Sequence, residues 1–150
     1  MDTDDNKAIV KEIWEQMLNK GKFDRLNDLI HKDYVYHGSG HEVRGQDNLK
    51  QFLTLSRQNI HDAHFVVEDL IAEGDKVVSR YTAMCKVKAS GKPIKVENMI
   101  VSRITDGKVV EEWEVIDRLG IAQQSATGWF QKRMMAFIVK QVDKGLGFAE

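Results

Sequence analysis

Residues Ile94–Gly120 read IKVENMIVSRITDGKVVEEWEVIDRLG, with two runs rich in valine and isoleucine on either side of an Asp-Gly pair. An Asp-Gly pair between two such runs predicts a tight β-hairpin turn. Because side chains alternate along a strand, Asn98 and Ile100 share one face of the first strand. Glu112 and Glu114 likewise share one face of the second. Apolar residues occur on both faces, so we expect both to be covered, and a polar side chain on a covered face needs a partner or a function.

The composition is that of one ordinary globular domain. The 150 residues are 42% hydrophobic and 30% charged, and the formal net charge is -1. Mixed charges without a basic stripe predict no nucleic-acid partner. The acidic N-terminus and the lack of a long apolar run predict no signal peptide and no membrane partner. The single cysteine, Cys85, predicts a reducing, cytoplasmic location, and we interpret it as a small buried residue.

The first half of the chain carries helical patterns. Apolar residues recur at helical spacing from Ile9 to Leu18, so we predict a helix there that Asp4 or Asp5 caps and Gly21 ends. The pattern then predicts a short helix over 23–30, an extended run over 34–37, a mobile loop over 38–40 and a helix from residue 45.

The second half carries strand patterns. Short turns separate four runs, 61–72, 77–89, 94–104 and 109–116, and this spacing predicts an antiparallel meander. Helices followed by strands predict an α+β fold, with helices packed on one face of a curved sheet. The single proline, Pro93, is predicted to lie in a turn.

Two helices are predicted after the sheet. Asp117 is placed to cap a short helix through Ile121. An amphipathic pattern predicts a longer helix from Thr127 to Asp143. We interpret the longer helix as covering the core or contacting a dimer partner. A pocket lid and a membrane-surface helix are the alternatives.

Common motifs for phosphate, nucleophile and metal chemistry are missing from the sequence. It contains no G-x-G-x-x-G, no P-loop and no G-x-S-x-G. His61 and His64 lie three apart on a predicted strand, so they point to opposite faces. His37, His41 and Glu42 form a weak candidate metal cluster, and without a second cluster we predict no metal and no cofactor.

A curved sheet over a cavity would gather polar side chains on its inner face. Glu112 and Glu114 would lie close together there, and mutual repulsion and apolar walls raise carboxyl pKa values. A carboxyl group that titrates near neutral pH is suited to proton transfer. Asn98 and Tyr36 are placed to hold a carbonyl or enolate oxygen.

The same pattern has a plainer interpretation. The E-E-W-E segment is also typical of an exposed edge strand whose glutamates lie in water. A single β-bulge would in addition replace Glu112 and Glu114 on the inner face by Trp113 and Val115.

Four segments give the chain a wider resemblance: HKDYVYHG, RGQDNL, DLIAEGDKVVSRY and DGKVVEEWEVIDRLGIAQQ. In this order and spacing they resemble the SnoaL-like polyketide cyclases of the nuclear-transport-factor-2-like superfamily, from the first helix to about Gln124. The resemblance implies a cone-shaped, cystatin-like half barrel, with N-terminal helices over a mostly apolar pocket. It also implies cofactor-free chemistry and a homodimer packed through the sheet. We expect a domain over 1–126 and a helical extension over 127–150 packed on it.

The resemblance also assigns roles to residues. It implies that Glu114, at the family's aspartate position, is the general acid/base of an aldol-type ring closure. Glu112 occupies a position that is often histidine, and Ile100 lies near a pocket histidine of the family. Tyr36 matches an asparagine of the first strand, and His37 matches a histidine of broader relatives.

These observations support two hypotheses about function. The first is a cofactor-independent cyclase, isomerase or lyase on a small hydrophobic carbonyl compound. In it, Glu114 transfers the proton and Glu112 tunes its pKa. The substrate is oriented by three residues: Tyr36, His37 and Asn98. The second is a small-molecule-binding or dimerisation module without chemistry.

Overall fold

The computed structural model describes residues 2–38 and 40–145. The N-terminal helical elements are α1 (Thr3–Glu12), a π-helical segment (Ile13–Asn19), a 3-10 turn (Phe23–Arg25), α2 (Leu26–Leu29) and α3 (Gln46–Asn59). The strands are β1 (Ile30–Gly38), β2 (His41–Arg44), β3 (Ile60–Glu73), β4 (Lys76–Val87), β5 (Pro93–Thr105) and β6 (Lys108–Val115). The C-terminal helices are α4 (Arg118–Ser125) and α5 (Gly128–Gly145).

The strands form one curved, open sheet in the order β2-β1-β6-β5-β4-β3. Strands β3 to β6 are the predicted antiparallel meander, and β1 pairs with β6 in parallel. The N-terminal helices and α3 pack on the concave face. This arrangement confirms the predicted α+β half barrel, because the sheet curls around a core that the helices cover.

The β5–β6 hairpin fixes which side chains face inward. Asp106 and Gly107 both have positive φ, at 50° and 77°, as a type I′ turn requires. The register places Ile100 opposite Glu114 and Ser102 opposite Glu112. The register shifts by one residue between Arg103 and Ile104, which lies between the turn and these pairs. Without this bulge the two-residue turn would pair Val101 with Glu112, so the bulge turns both glutamates to the inner face.

The core lies between the sheet and the first helical segments. Val10, Trp14 and Met17 are almost fully buried there. Trp14 packs on Tyr81 with a centroid distance of 4.3 Å, and its indole N–H donates to Ser79 Oγ at 3.2 Å. These contacts attach the π-helical segment to the middle of the sheet.

Several local expectations are corrected. Asp2, not Asp4 or Asp5, caps α1, and its side chain accepts from both of their backbone N–H groups. Residue 30 begins β1 instead of ending a helix, so the first strand is longer than predicted. The segment after residue 40 pairs with β1 as a strand, and Pro93 is the first residue of β5. Ser39, from the predicted 38–40 loop, lies outside the described residues.

The C-terminal helices differ in how they join the domain. Asp117 caps α4 as predicted, accepting from Gly120 N–H at 2.8 Å. Helix α5 contributes no fully buried residue and contacts α4, and its packing on the domain stays a prediction. Residues 146–150 of the predicted extension lie outside the described residues, and the boundary at residue 126 stays a prediction. Among the described helices, none has the length and apolar character to cross a bilayer.

Candidate active site

A cavity of about 200 Å³ lies between the helices and the concave face of the sheet. Its walls are mostly apolar and aromatic, with Trp14, Phe52 and Phe65 among them. Glu112 and Glu114 are the two carboxylates that line it. Because so few polar groups enter an apolar space, their hydrogen bonds decide what chemistry the cavity supports.

Glu112 lies against the sheet with a donor on each oxygen. Tyr34 donates its hydroxyl proton to Oε2, and Ser102 Oγ donates to Oε1 at 2.6 Å. Part of Glu112 remains accessible because it lines the cavity, yet the surrounding protein removes its carboxyl from bulk water. This desolvation raises the pKa of Glu112 to about 7, although both donors lower it, and the nearby Glu114 adds to the rise. Glu112 therefore changes protonation near neutral pH.

Glu114 is held by two tyrosines. Tyr36 donates to Oε2, and Tyr81 donates to Oε1. Burial and then the neighbouring carboxylate raise the pKa of both phenols, and Tyr34 is affected in the same way by Glu112. The three hydroxyls thus remain protonated, and they fix the directions of the carboxylates.

Pairing between β1 and β6 builds this arrangement. Tyr36 lies beside Glu112 in the parallel register, and Gly38 lies beside Glu114. A Cβ atom on Gly38 would come within 2.0 Å of the Tyr36 hydroxyl oxygen. The missing side chain of Gly38 therefore leaves the space through which Tyr36 reaches Glu114.

Asn98 faces inward but does not line the cavity. Its Oδ1 accepts from the Asp117 backbone N–H at 3.2 Å, and Tyr81 lies directly opposite it on β4. The structure thus gives Asn98 a supporting position behind Tyr81. Ile100 does line the cavity and is 7% exposed.

His37 lies on the outer face of the sheet, outside the cavity. Its Nε2 is 2.9 Å from Glu111 Oε1, its Nδ1 is 3.5 Å from Glu42, and its ring stacks on Trp113. Arg103 and then His37 lower the pKa of Glu111. The expectation that His37 contacts substrate is corrected, because a residue next to the inward-facing Tyr36 points outward.

Sequence reasoning overlooked three cavity donors or supports: Tyr34, Tyr81 and Ser102. Strand alternation gave a usable signal for Tyr34, which precedes Tyr36 by two residues. Tyr81 lies opposite Asn98 across β4–β5, so only the strand register reveals it. Among the described residues, no group of three His, Cys, Asp or Glu side chains is placed to hold a metal ion.

The family model for SnoaL-like polyketide cyclases matches residues 8–125. The chain belongs to this family. The match runs from the middle of α1 to the end of α4 and includes the whole sheet and both cavity glutamates. No curated protein matches the sequence significantly.

Solved structures show the same fold. A SnoaL-like polyketide cyclase candidate from Jannaschia sp. CCS1 has a TM-score of 0.78 at 20% identity, over 84% of this chain and 95% of that chain. IdmH from Streptomyces antibioticus, a candidate polyketide cyclase, has a TM-score of 0.71 at 23% identity, over 79% and 96%. An NTF2-like protein from Burkholderia xenovorans LB400 has a TM-score of 0.71 at 21% identity, over 84% and 99%.

Proposed function

We propose that this SnoaL-like protein is a cofactor-independent acid/base enzyme of the cyclase, isomerase or dehydratase type. Its substrate would be a small hydrophobic carbonyl compound. The observation that carries the proposal is the pair of tyrosine-held glutamates, Glu112 and Glu114, in the wall of an apolar cavity. Such a pair can move a proton where little water competes for it.

Glu114 acts as the base in this proposal. Each of its carboxylate oxygens accepts one tyrosine hydroxyl and keeps a further lone pair for the substrate. Tyr36 and Tyr81 limit its rotation, so its free lone pairs keep a fixed direction into the cavity. Because the carboxylate is already oriented, less entropy is lost when a substrate binds with the C–H bond next to its carbonyl group facing Glu114.

Glu112 supplies the second half of the reaction. With a pKa of about 7, a large fraction of this carboxyl carries a proton at neutral pH. The protonated form can donate to the substrate oxygen as negative charge develops on it during proton abstraction by Glu114. Glu112 would thus donate a proton to the substrate, in addition to its expected effect on the pKa of Glu114.

The cavity limits the size of the substrate. Its volume of about 200 Å³ is somewhat larger than the ~150 Å³ apolar cavity that accepts benzene. Ile100, Phe52 and Phe65 favour an apolar ring over a polar chain. We therefore propose a compound of one or two rings, with its carbonyl group toward the glutamates.

The alternative is a binding or dimerisation module of the same fold. One observation favours it: the tyrosine hydroxyls near the glutamates already donate to the protein, as in a satisfied structural network. Exposed Met99, Trp113 and Val115 on the outer sheet face support the expected homodimer through the sheet. Under either function, we propose a cytoplasmic location because the chain has one cysteine.

A proton-exchange assay distinguishes the enzyme from the binding module. The protein is incubated in D₂O with a cavity-sized ketone such as 2-tetralone, and NMR follows deuterium entry next to the carbonyl group. We expect catalysed exchange in the parent and a loss of about 100-fold or more in Glu114→Gln. Glu111→Gln on the outer face is the matched control and should exchange as the parent does.

The outcomes decide between the functions. Undiminished exchange in a folded Glu114→Gln variant would refute the base assignment. Ketones that bind the parent without any exchange would favour the binding module.

A further inference from the structure

Helix α5 carries an apolar stripe that no other described part of the chain covers. Phe130, Met134, Phe137 and Ile138 are 71%, 45%, 62% and 38% exposed. Their spacing of four, seven and eight residues places them on one side of the helix. A contiguous exposed apolar surface of this kind marks an interaction site.

The stripe points away from the domain. Met135, Val139 and Asp143 are partly buried, and their spacing of four residues defines the opposite side of α5. Helix α5 contacts α4 and holds its stripe outward. The stripe is therefore presented to a partner and does not belong to the core.

Positive charge accompanies the stripe. Arg133, Lys140 and Lys144 follow one another along the flank of the stripe, and Lys132 lies nearer the opposite side. All four are exposed, and Asp143 is the single acidic residue of the helix. The helix thus carries a formal charge of +3, whereas the complete chain carries -1. Its partner should combine an apolar layer with negative charge.

We infer that α5 lies in the plane of an anionic lipid surface, with its stripe inserted between the headgroups. An apolar side with phenylalanine and a basic flank are the features of helices that bind at this interface. Trp129 at the start of the helix, stacked beneath Arg133 at 5.4 Å, adds an interfacial aromatic ring. This inference replaces the sequence-level expectation of no membrane partner.

A second copy of α5 is a poorer partner for the stripe. Pairing two stripes would bring the basic flanks of both copies together, and like charges at close range oppose that contact. Anionic headgroups instead meet both the apolar residues and the flanking charges. The inference does not depend on catalysis in the cavity, because α5 contributes no residue to it.

Vesicle sedimentation with the full-length chain tests this inference. The protein is mixed with vesicles of 7:3 phosphatidylcholine and phosphatidylglycerol, or of phosphatidylcholine alone, at low and high salt. We expect at least about tenfold more bound protein on the anionic vesicles, and a loss of binding at high salt because counterions screen the charges.

Two sets of variants separate the stripe from the charges. Phe130→Ser with Phe137→Ser removes apolar contacts, and these exposed positions leave the fold intact, which circular dichroism checks. A second set removes the three charges beside the stripe: Arg133→Gln, Lys140→Gln and Lys144→Gln. Its matched control removes three exposed charges elsewhere: Lys22→Gln, Lys50→Gln and Lys88→Gln. Both α5 sets should lose binding at least about tenfold, and the control should keep it.

Three results would overturn the inference. One is equal binding to the two vesicle types, and another is an equal effect of the two charge sets. The third is an absence of vesicle binding together with a dimer, seen by light scattering, that the Phe130→Ser, Phe137→Ser variant dissociates. That last result would assign the stripe to a second copy of the chain.

Discussion

Replacing Glu112 by glutamine changes how the stability of the protein depends on pH. The pKa of Glu112 rises from its ordinary 4.5 to about 7 in the folded chain. Below pH 4.5 the carboxyl is protonated in both folded and unfolded chains. Between pH 4.5 and 7 the folded chain retains a proton that the unfolded chain has lost. The free energy of unfolding therefore falls as pH rises through this window, by about 1.4 kcal/mol per pH unit.

The magnitude follows from the two pKa values. Ionised Glu112 costs the folded state about 2–3 kcal/mol at pH 8.5 relative to pH 5. Glutamine keeps the shape and does not ionise in this range, so Glu112→Gln abolishes this part of the pH dependence. The amide can accept from only one of Tyr34 and Ser102, and that loss of about 1 kcal/mol is independent of pH.

Urea unfolding at several pH values between 5 and 8.5 measures the effect. The stability of Glu112→Gln relative to the parent should rise by about 2–3 kcal/mol from pH 5 to pH 8.5. Glu97→Gln is the control, because this glutamate is exposed and its ion-pair partner is the Arg80 guanidinium at 3.9 Å. Its difference from the parent should be constant in this range, because no buried carboxyl is removed.

If Glu112→Gln and the parent show parallel stability curves from pH 5 to 8.5, Glu112 does not titrate near neutrality. The proposed role of Glu112 as the proton donor that acts with Glu114 would then be refuted. A ¹³C NMR titration of the Glu112 carboxyl, with an expected midpoint near 7, gives an independent reading.

Two further predictions concern how the site is held. In Gly38→Ala, the new methyl group would meet the Tyr36 ring, so urea unfolding should show a loss of about 1–3 kcal/mol. Gly145→Ala, where an added Cβ meets nothing, should cost less than about 0.5 kcal/mol, and equal losses would contradict this role for Gly38. In Asn19→Ala, the π-helical segment loses both side-chain bonds to the Phe65 backbone, at 2.8 and 2.9 Å. We expect a loss of about 1–3 kcal/mol from the unpaired backbone groups, and unchanged stability would show that water replaces the asparagine.

The sequence by itself determined the hairpin turn and the fact that its two glutamates share one face. Asp106 and Gly107 accept positive φ, which fixes a two-residue turn, and strand alternation places Glu112 and Glu114 on the same side as each other. The helical spacing after residue 127 likewise predicted an amphipathic α5. These features depend on neighbours within a few residues, so local patterns are sufficient to predict them. The register shift after Arg103, which the pattern does not reveal, decides that the side with the glutamates faces the cavity.

Only the tertiary structure decided which donors hold the carboxylates and which face of α5 stays uncovered. Tyr34 reaches Glu112, and Tyr36 reaches Glu114, each across 78 residues of sequence, because β1 pairs in parallel with β6. Asn98 faces inward as predicted, yet its side chain accepts from the backbone N–H of Asp117, the cap residue of α4, and does not line the cavity. Contacts of this kind depend on strand order and register, which arise from the packing of the complete chain and leave no periodic signal in the sequence.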